Sequence, residues 1–282
     1  MASRPPYGQV SAIKGFDDMD LGIKDRVAIV TGGSRGIGYE TAKEFLNAGV
    51  KVMTCSRNGE DAARACRALS AETGGDIRSI EADVMNAEDG RRLVKETVAA
   101  FGTVDILVNN AGTMYSGRFD ELTEDGLRRQ LDTKLFGWMR LIREVFPIMR
   151  ERRWGRIVSL IGGAGKEPDP YMFGSGMTNS ALLNMTKSLS TEFGPYNVLV
   201  NAVCPGWVAT DLWKRNASGL QKELGAASEE EARKLATRKN ALGRFGKPEE
   251  LAGAIAFLCS ERASYITGIS LNTDGGRLKG LW

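Results

Sequence analysis

Glycines at positions 32, 36 and 38 punctuate the run Thr31-Gly32-Gly33-Ser34-Arg35-Gly36-Ile37-Gly38, in the spacing Gly-x-x-x-Gly-x-Gly. An apolar segment, Arg26–Thr31, leads into the run, and a helical pattern over Gly38–Asn47 follows it. Glycine at such a place allows a tight turn and a close approach of the backbone to a pyrophosphate, which then rests on the positive end of the helix. A plain strand-to-helix turn does not require so many glycines in so short a stretch. The chemistry implied is the binding of a dinucleotide, with Gly32, Ser34, Arg35, Gly36, Ile37 and Gly38 among its contacts. A second apolar segment, Lys51–Ser56, leads into Ser56, Arg57 and Asn58, where an acidic residue would mark a free ribose 2′-hydroxyl. Two guanidinium groups, Arg35 and Arg57, with no carboxylate between them suit a 2′-phosphate. The cofactor expected is therefore NADP(H).

Other chemistry is excluded by what the chain lacks. Its 282 residues contain no histidine, which removes Ser-His-Asp and Cys-His nucleophiles, histidine-ligated zinc and the usual acid–base group near neutral pH. Cys55, Cys66, Cys204 and Cys259 show no CxxC spacing, so no metal site is expected. They read as buried small apolar residues in a reducing compartment, which places the protein in the cytoplasm. Lys and Arg number 38 against 35 Asp and Glu, a net charge of +3 with no long run of one sign. That is not the footprint of a nucleic-acid partner. No apolar run approaches the roughly 18 residues of a membrane span. Residues 1–24 carry Pro5, Pro6 and acidic clusters without a secretory apolar core, and read as an N-terminal extension ahead of a domain at 25–282.

The elements that must position the glycine turn alternate. Strands are predicted at Arg26–Thr31, Lys51–Ser56, Ile77–Ala82, Asp105–Asn109, Arg156–Leu160, Val198–Val203 and Ile269–Leu271. Helices are predicted at Gly38–Asn47, Asp61–Glu72, Ala87–Phe101, Glu124–Arg150, Ser175–Phe193 and Pro248–Cys259. This rhythm implies an α/β fold, a single doubly wound (Rossmann) domain of about seven parallel strands with helices on both faces. One stretch, Thr210–Lys239, is polar and helix-prone and interrupts the rhythm after the sixth strand. An insertion there sits at the carboxyl ends of the strands, where such sheets bind ligands, and reads as a substrate lid carrying Leu212, Trp213 and Leu220.

Taken together, these residues resemble the short-chain dehydrogenase/reductase family. The likeness runs from about Lys24 to Gly276. Thr31–Gly38 matches the family's cofactor turn, and Asp83-Val84 resembles its adenine-binding pair. Asn109-Asn110-Ala111-Gly112 matches the signature after the fourth strand. Pro205, Gly206, Val208 and Thr210 resemble the segment that contacts the nicotinamide carboxamide. The C-terminal part is similar too, in Gly243-Arg244-Phe245-Gly246, Pro248-Glu249-Glu250 and Asp274-Gly275-Gly276. The resemblance implies hydride transfer between a nicotinamide cofactor and a small-molecule carbonyl, alcohol or activated alkene, in a homo-oligomer, tetramer or dimer.

The family's catalytic Asn, Ser, Tyr and Lys are absent. Aligning on Ser180–Leu189 places Asn179 at the Lys position and Ser175 at the Tyr position. Gly162 then falls at the Ser position and Lys134 at the Asn position. An unactivated serine hydroxyl is far too weak an acid to replace a phenol. Asn and Lys have exchanged places, however, so an ammonium and an amide remain. Lys134 is expected to supply ribose binding and positive charge, with Asn179 as its hydrogen-bond partner. Tyr171, four residues before Ser175, is the candidate for a surviving phenol, with Tyr115 a lesser candidate for substrate contact. The readings that follow are an NADP(H)-dependent oxidoreductase with non-standard proton delivery to a carbonyl, conjugated alkene or imine, a cofactor-binding subunit without hydride chemistry, and a non-redox lyase or isomerase.

Overall fold

Alternation of buried apolar residues along short strands sets the architecture. In β1 (Val27–Thr31), Ala28 and Val30 face one side of the sheet and Ile29 the other, and all of them are buried. That two-sided burial is the mark of a strand inside a parallel sheet covered on both faces. The computed structural model describes residues 20–280. Seven strands pair in the order β3-β2-β1-β4-β5-β6-β7, all parallel. They are β1, β2 (Lys51–Ser56), β3 (Ile77–Glu81), β4 (Ile106–Asn109), β5 (Gly155–Leu160), β6 (Val198–Pro205) and β7 (Ser270–Thr273). The fold is thus the single doubly wound Rossmann-like α/β domain expected.

Helices α1 (Gly36–Asn47), α2 (Gly59–Thr73) and α9 (Pro248–Cys259) close one face, where Phe45, Leu69 and Ile255 pack on Val30, Val52 and Val158. Helices α3 (Ala87–Phe101) and α5 (Gly137–Arg152) close the other, with Leu93, Leu141 and Met149 over Ile29, Leu107 and Ile157. Helix α6 (Phe173–Phe193) shares that second face beside β6, where Leu182 packs with Ala202 and Cys204. All four cysteines are buried and unpaired. At the end of residues 1–24, Ile23 is fully buried in the core and Leu21 packs against it, with Leu21 O accepting from the Glu261 N–H. The earlier part of that extension, and Leu281-Trp282, lie outside the described residues.

Two differences from the predicted elements bear on function. The helix expected over Glu124–Arg150 is divided into α4 (Glu124–Leu131), a π turn (Asp132–Phe136) and α5. Gly137 lets the junction approach the turn after β3: a Cβ there would lie 2.8 Å from Val84 O. Such a π turn widens the helix locally and commonly marks functional sites. The stretch Thr210–Lys239 folds as two helices, α7 (Asp211–Leu224) and α8 (Glu229–Thr237). They hold a small core of their own, Trp213, Ala217, Leu220 and Ala236, apart from the main one. No helix among the described residues is long and apolar enough to cross a membrane.

Candidate active site

Chain order reverses between β1 and β4, and a crevice opens there at the carboxyl ends of the strands, as such topologies require. The glycine turn forms one wall. Gly32 and Gly36 adopt φ of +70° and +58°, a conformation that favours glycine. Asn110 braces the turn from behind, donating through Nδ2 to Thr31 O at 2.8 Å and Gly32 O at 3.2 Å. Thr31 Oγ1 accepts from the N–H groups of Asn110 and Ala111, both at 3.0 Å, so the ends of β1 and β4 are locked together. Thr54 Oγ1 accepts from the Gly33 N–H at 3.1 Å and ties the turn to β2. In front, no side chain caps α1, whereas Asn58 and Asn86 cap α2 and α3. The first N–H groups of α1 are left for an anion, as a pyrophosphate site needs.

The crevice in front of this turn is about 430 Å³. Gly32, Ser34, Arg35, Gly36 and Ile37 line it from the turn, and Ser56 and Arg57 from the end of β2. Asp83 and Val84 line the part beyond β3, and Asn110, Ala111 and Gly112 the part beyond β4. Arg35 and Arg57 are exposed and make no ion pair among the described residues. The residues present fit a nicotinamide dinucleotide: a braced turn, open helix amides and two free guanidiniums along one crevice. Two expected contacts stand elsewhere. Gly38 lies behind the turn, where a Cβ would come within 2.4 Å of Asn110 Nδ2. Its role is to admit that brace. Asn58 caps α2, accepting from the Asp61 N–H at 3.0 Å, and does not line the crevice.

A second cavity, about 200 Å³, continues from the first. Pro205, Gly206 and Val208 line this one, and Thr210 lines both. Lys134 and Asn179 meet here. Lys134 rises from the π turn, is 8% exposed, and donates from Nζ to Asn179 Oδ1 at 3.0 Å. The ammonium also stands 5.0 Å from the centre of the Trp138 ring. Burial without a carboxylate partner pushes Lys134 down to about 8. Gly162 completes the arrangement, since a Cβ there would lie 2.8 Å from Asn179 Nδ2. Lys134, Gly162 and Asn179 therefore form one mutually adjusted set.

The other two expected catalytic groups have their hydroxyls directed to other parts of the chain. Ser175 lines the cavity, but its hydroxyl donates to Tyr115 O and accepts from the Tyr115 N–H, both at 3.0 Å. It anchors the loop after β4 to α6. Tyr171 does not line the cavity: α6 starts only at Phe173, and the residue sits in the preceding 3-10 turn (Pro170–Met172). Its ring joins the Trp213 cluster, with its hydroxyl beside Gly219 of α7. The Tyr115 hydroxyl is likewise occupied, accepting from the Thr123 N–H at 2.9 Å at the start of α4. Reasoning from sequence missed Thr113 and Met114, which continue the Asn110–Gly112 wall, and Arg277, which follows Asp274-Gly275-Gly276 into the second cavity.

Residues 32–277 match the family model described as enoyl-(acyl carrier protein) reductase. The chain is 33% identical over 258 residues to a 3-oxoacyl-[acyl-carrier-protein] reductase of Aquifex aeolicus, covering 92% of this chain and 99% of that protein. It is 36% identical to an L-rhamnose 1-dehydrogenase (NAD(P)(+)) of Azotobacter vinelandii, covering 89% of this chain and 96% of that one. Among solved structures, L-sorbose reductase from Gluconobacter frateurii, complexed with NADPH and L-sorbose, superposes with a TM-score of 0.87 at 33% identity, covering 93% of this chain and all of the other. A doubly wound fold with a dinucleotide crevice at its switch point defines a nicotinamide-dependent class of oxidoreductase. Within that class, the chain belongs to the short-chain dehydrogenase/reductase family.

Proposed function

We propose that the protein is an NADP(H)-dependent reductase of a small carbonyl, conjugated alkene or imine, in which Lys134, held by Asn179, delivers the proton. The observation that carries the proposal is the 3.0 Å bond between Lys134 Nζ and Asn179 Oδ1 in the wall of the second cavity. The cofactor, when bound, supplies a hydride to the substrate; the chain must bind, orient and protonate. Gly32, Ser34, Gly36 and Ile37 hold the phosphates, and Asp83 and Val84 the adenine. Asn110, Ala111 and Gly112 wall the ribose side, and Pro205, Gly206, Val208 and Thr210 the carboxamide side. Lys134 binds the ribose and carries the positive charge near the reacting oxygen. With Ser175 and Tyr171 engaged elsewhere, it is the acidic group at the cavity. Preference for the 2′-phosphate is supported by Arg35 and Arg57, and by solved neighbours such as an actinorhodin polyketide ketoreductase in complex with NADPH.

The buried, unpaired cysteines suit the cytoplasm. Exposed Phe119, Phe136 and Phe173 suit a homo-oligomer. The test has two readouts. Arg57→Ala is expected to weaken NADPH binding by about tenfold to a hundredfold, the worth of one charged hydrogen bond, and to leave NADH binding unchanged. Equal loss for both coenzymes would remove the 2′-phosphate assignment. Scanning absorbance at 340 nm against ketones, enones, enoyl thioesters and imines is expected to find substrates that oxidise NADPH. Lys134→Ala should slow them at least a hundredfold. Tight NADPH binding with no consumption by any class would mark a non-catalytic subunit.

A further inference from the structure

The second cavity is walled mostly by apolar side chains, among them Leu160, Met172, Val208 and Trp213. Its charged lining residues are Lys134 and Arg277, and no carboxylate lines it. Arg277 is presented by a built turn. Gly275 and Gly276, at φ of +65° and +76°, reverse the chain after β7. Asp274 fixes that reversal, accepting from the Gly276 N–H at 2.9 Å and the Leu278 N–H at 2.8 Å. Leu278 then packs on Gly163, where a Cβ would lie 3.1 Å from its Cδ1.

So placed, the Arg277 guanidinium lies over the Trp207 ring, 5.4 Å from its centroid, with a side chain only 20% exposed. The nearest paired acid is Asp169, whose Oδ2 is 3.9 Å from Nη2, beyond hydrogen-bond reach. The other Asp169 oxygen is occupied by the Tyr171 N–H at 2.9 Å. A guanidinium resting over an indole and mostly buried loses little freedom on binding, and its donors form a planar fork. That fork matches a carboxylate, which it engages through two parallel bonds.

We propose that Arg277 selects substrates that carry a carboxylate: acids with a short apolar body whose carboxylate pairs with Arg277 while the reducible group faces Lys134. The inference rests on the reading that the Lys134 end of the cavity is the reacting end. The neutral analogue binds less tightly because it offers no charge to the guanidinium fork, whose long 3.9 Å pairing with Asp169 leaves its hydrogen-bond donors unfilled.

Two experiments on the full chain separate the inference from the reading beneath it. The first is titration of tryptophan fluorescence, which Trp207 and Trp213 report, with hexanoate and with hexanamide. Hexanoate is expected to bind at least tenfold tighter than hexanamide. Arg277→Met should abolish that preference without changing affinity for the amide, and Arg277→Lys should keep part of it. Equal binding of acid and amide, binding of neither, or selectivity that survives in Arg277→Met would overturn the proposal. The second is turnover of medium-chain oxo acids and their methyl esters with NADPH. Reduction of acids over esters, lost in Arg277→Met, is the expected result. Esters reduced as fast as acids in wild type and variant alike would overturn the carboxylate assignment and leave the reductase standing. Selective hexanoate binding with no NADPH consumption would overturn the reductase and leave the anion site standing.

Discussion

Lys134 holds an ammonium in a pocket with no carboxylate to balance it, and pH is the lever that exposes the consequence. Burial brings its pKa from 10.5 down to about 8, so the group is protonated at neutral pH and loses its proton just above. If it supplies the proton in reduction, kcat/KM for reduction stays level below pH 8 and falls about tenfold per pH unit above it. The oxidation direction shows the opposite limb, rising to a plateau above pH 8. In Lys134→Met both limbs disappear; a reduction limb that persisted near pH 8 in that variant would assign the titration to another group. Stability carries an independent signature. The folded state binds the proton less tightly than the unfolded chain, so between about pH 8 and 10.5 the unfolded state holds more protons and stability rises with pH. The penalty, roughly 3 kcal/mol, is fully present below pH 8 and relieved above 10.5. Denaturant melts of cofactor-free protein at stepped pH should show this rise in the wild type and not in Lys134→Met, once the shared titrations are subtracted. Parallel curves would mean that the ammonium is solvated.

At the scale of elements, the site depends on where three backbones approach each other closely. The π turn at Asp132–Phe136 aims Lys134 inward, and Gly137 lets α5 follow it down onto Val84. The loop at Gly162–Gly165 comes so near α6 that a Cβ at Gly165 would lie 2.8 Å from Asn179 Cβ. A serine at 162 is therefore expected to disturb the site. Its Cβ begins 2.8 Å from Asn179 Nδ2 and turns that amide away from Lys134, breaking a 3.0 Å bond. Gly162→Ser is expected to lower kcat about tenfold or more, the worth of one charge-assisted hydrogen bond, with NADPH affinity unchanged. In Gly162→Ser/Asn179→Ala the crowding is gone, so the two losses should be less than additive. Additive losses in this double-mutant cycle would show that residues 162 and 179 do not act through each other.

The whole molecule combines a seven-stranded sheet with α7 and α8, the stretch read from sequence as a lid, which has its own small core, and these two parts differ in how far the sequence disclosed them. Helices α3 and α9 fall where periodicity placed them, at Ala87–Phe101 and Pro248–Cys259, because an apolar face, and for α9 a proline at its start, are local information. The glycine turn was legible for the same reason: its spacing, the strand before it and the helix after it are contiguous. The π turn was not, since the residues flanking it, Leu131 and Gly137, keep helical dihedrals and the apolar pattern runs through it without a break. Nor were the fates of Tyr171 and Arg277, whose partners Gly219, Trp207 and Asp169 are brought to them only by tertiary packing. Those partners belong to the lid or border it, and the lid makes a distinct energetic prediction. Trp213 is its anchor, 5% exposed, its ring centroid 5.3 Å from that of Trp207 and 4.6 Å from that of Phe245, both edge to face. Trp213→Ala removes roughly 3–5 kcal/mol of packing, a loss concentrated in α7 and α8 because their cluster is separate from the sheet core. Hydrogen exchange should then accelerate across residues 211–237 while β1, β4 and β5 keep their protection. KM for substrate should rise, because Trp213 and Val208 wall the second cavity, and NADPH affinity should change less, because α7 supplies only Asp211, Leu212, Arg215 and Asn216 to the first crevice and the rest comes from outside α7 and α8. Exchange that rose equally in the central strands would show instead that the lid and the sheet unfold as one cooperative unit.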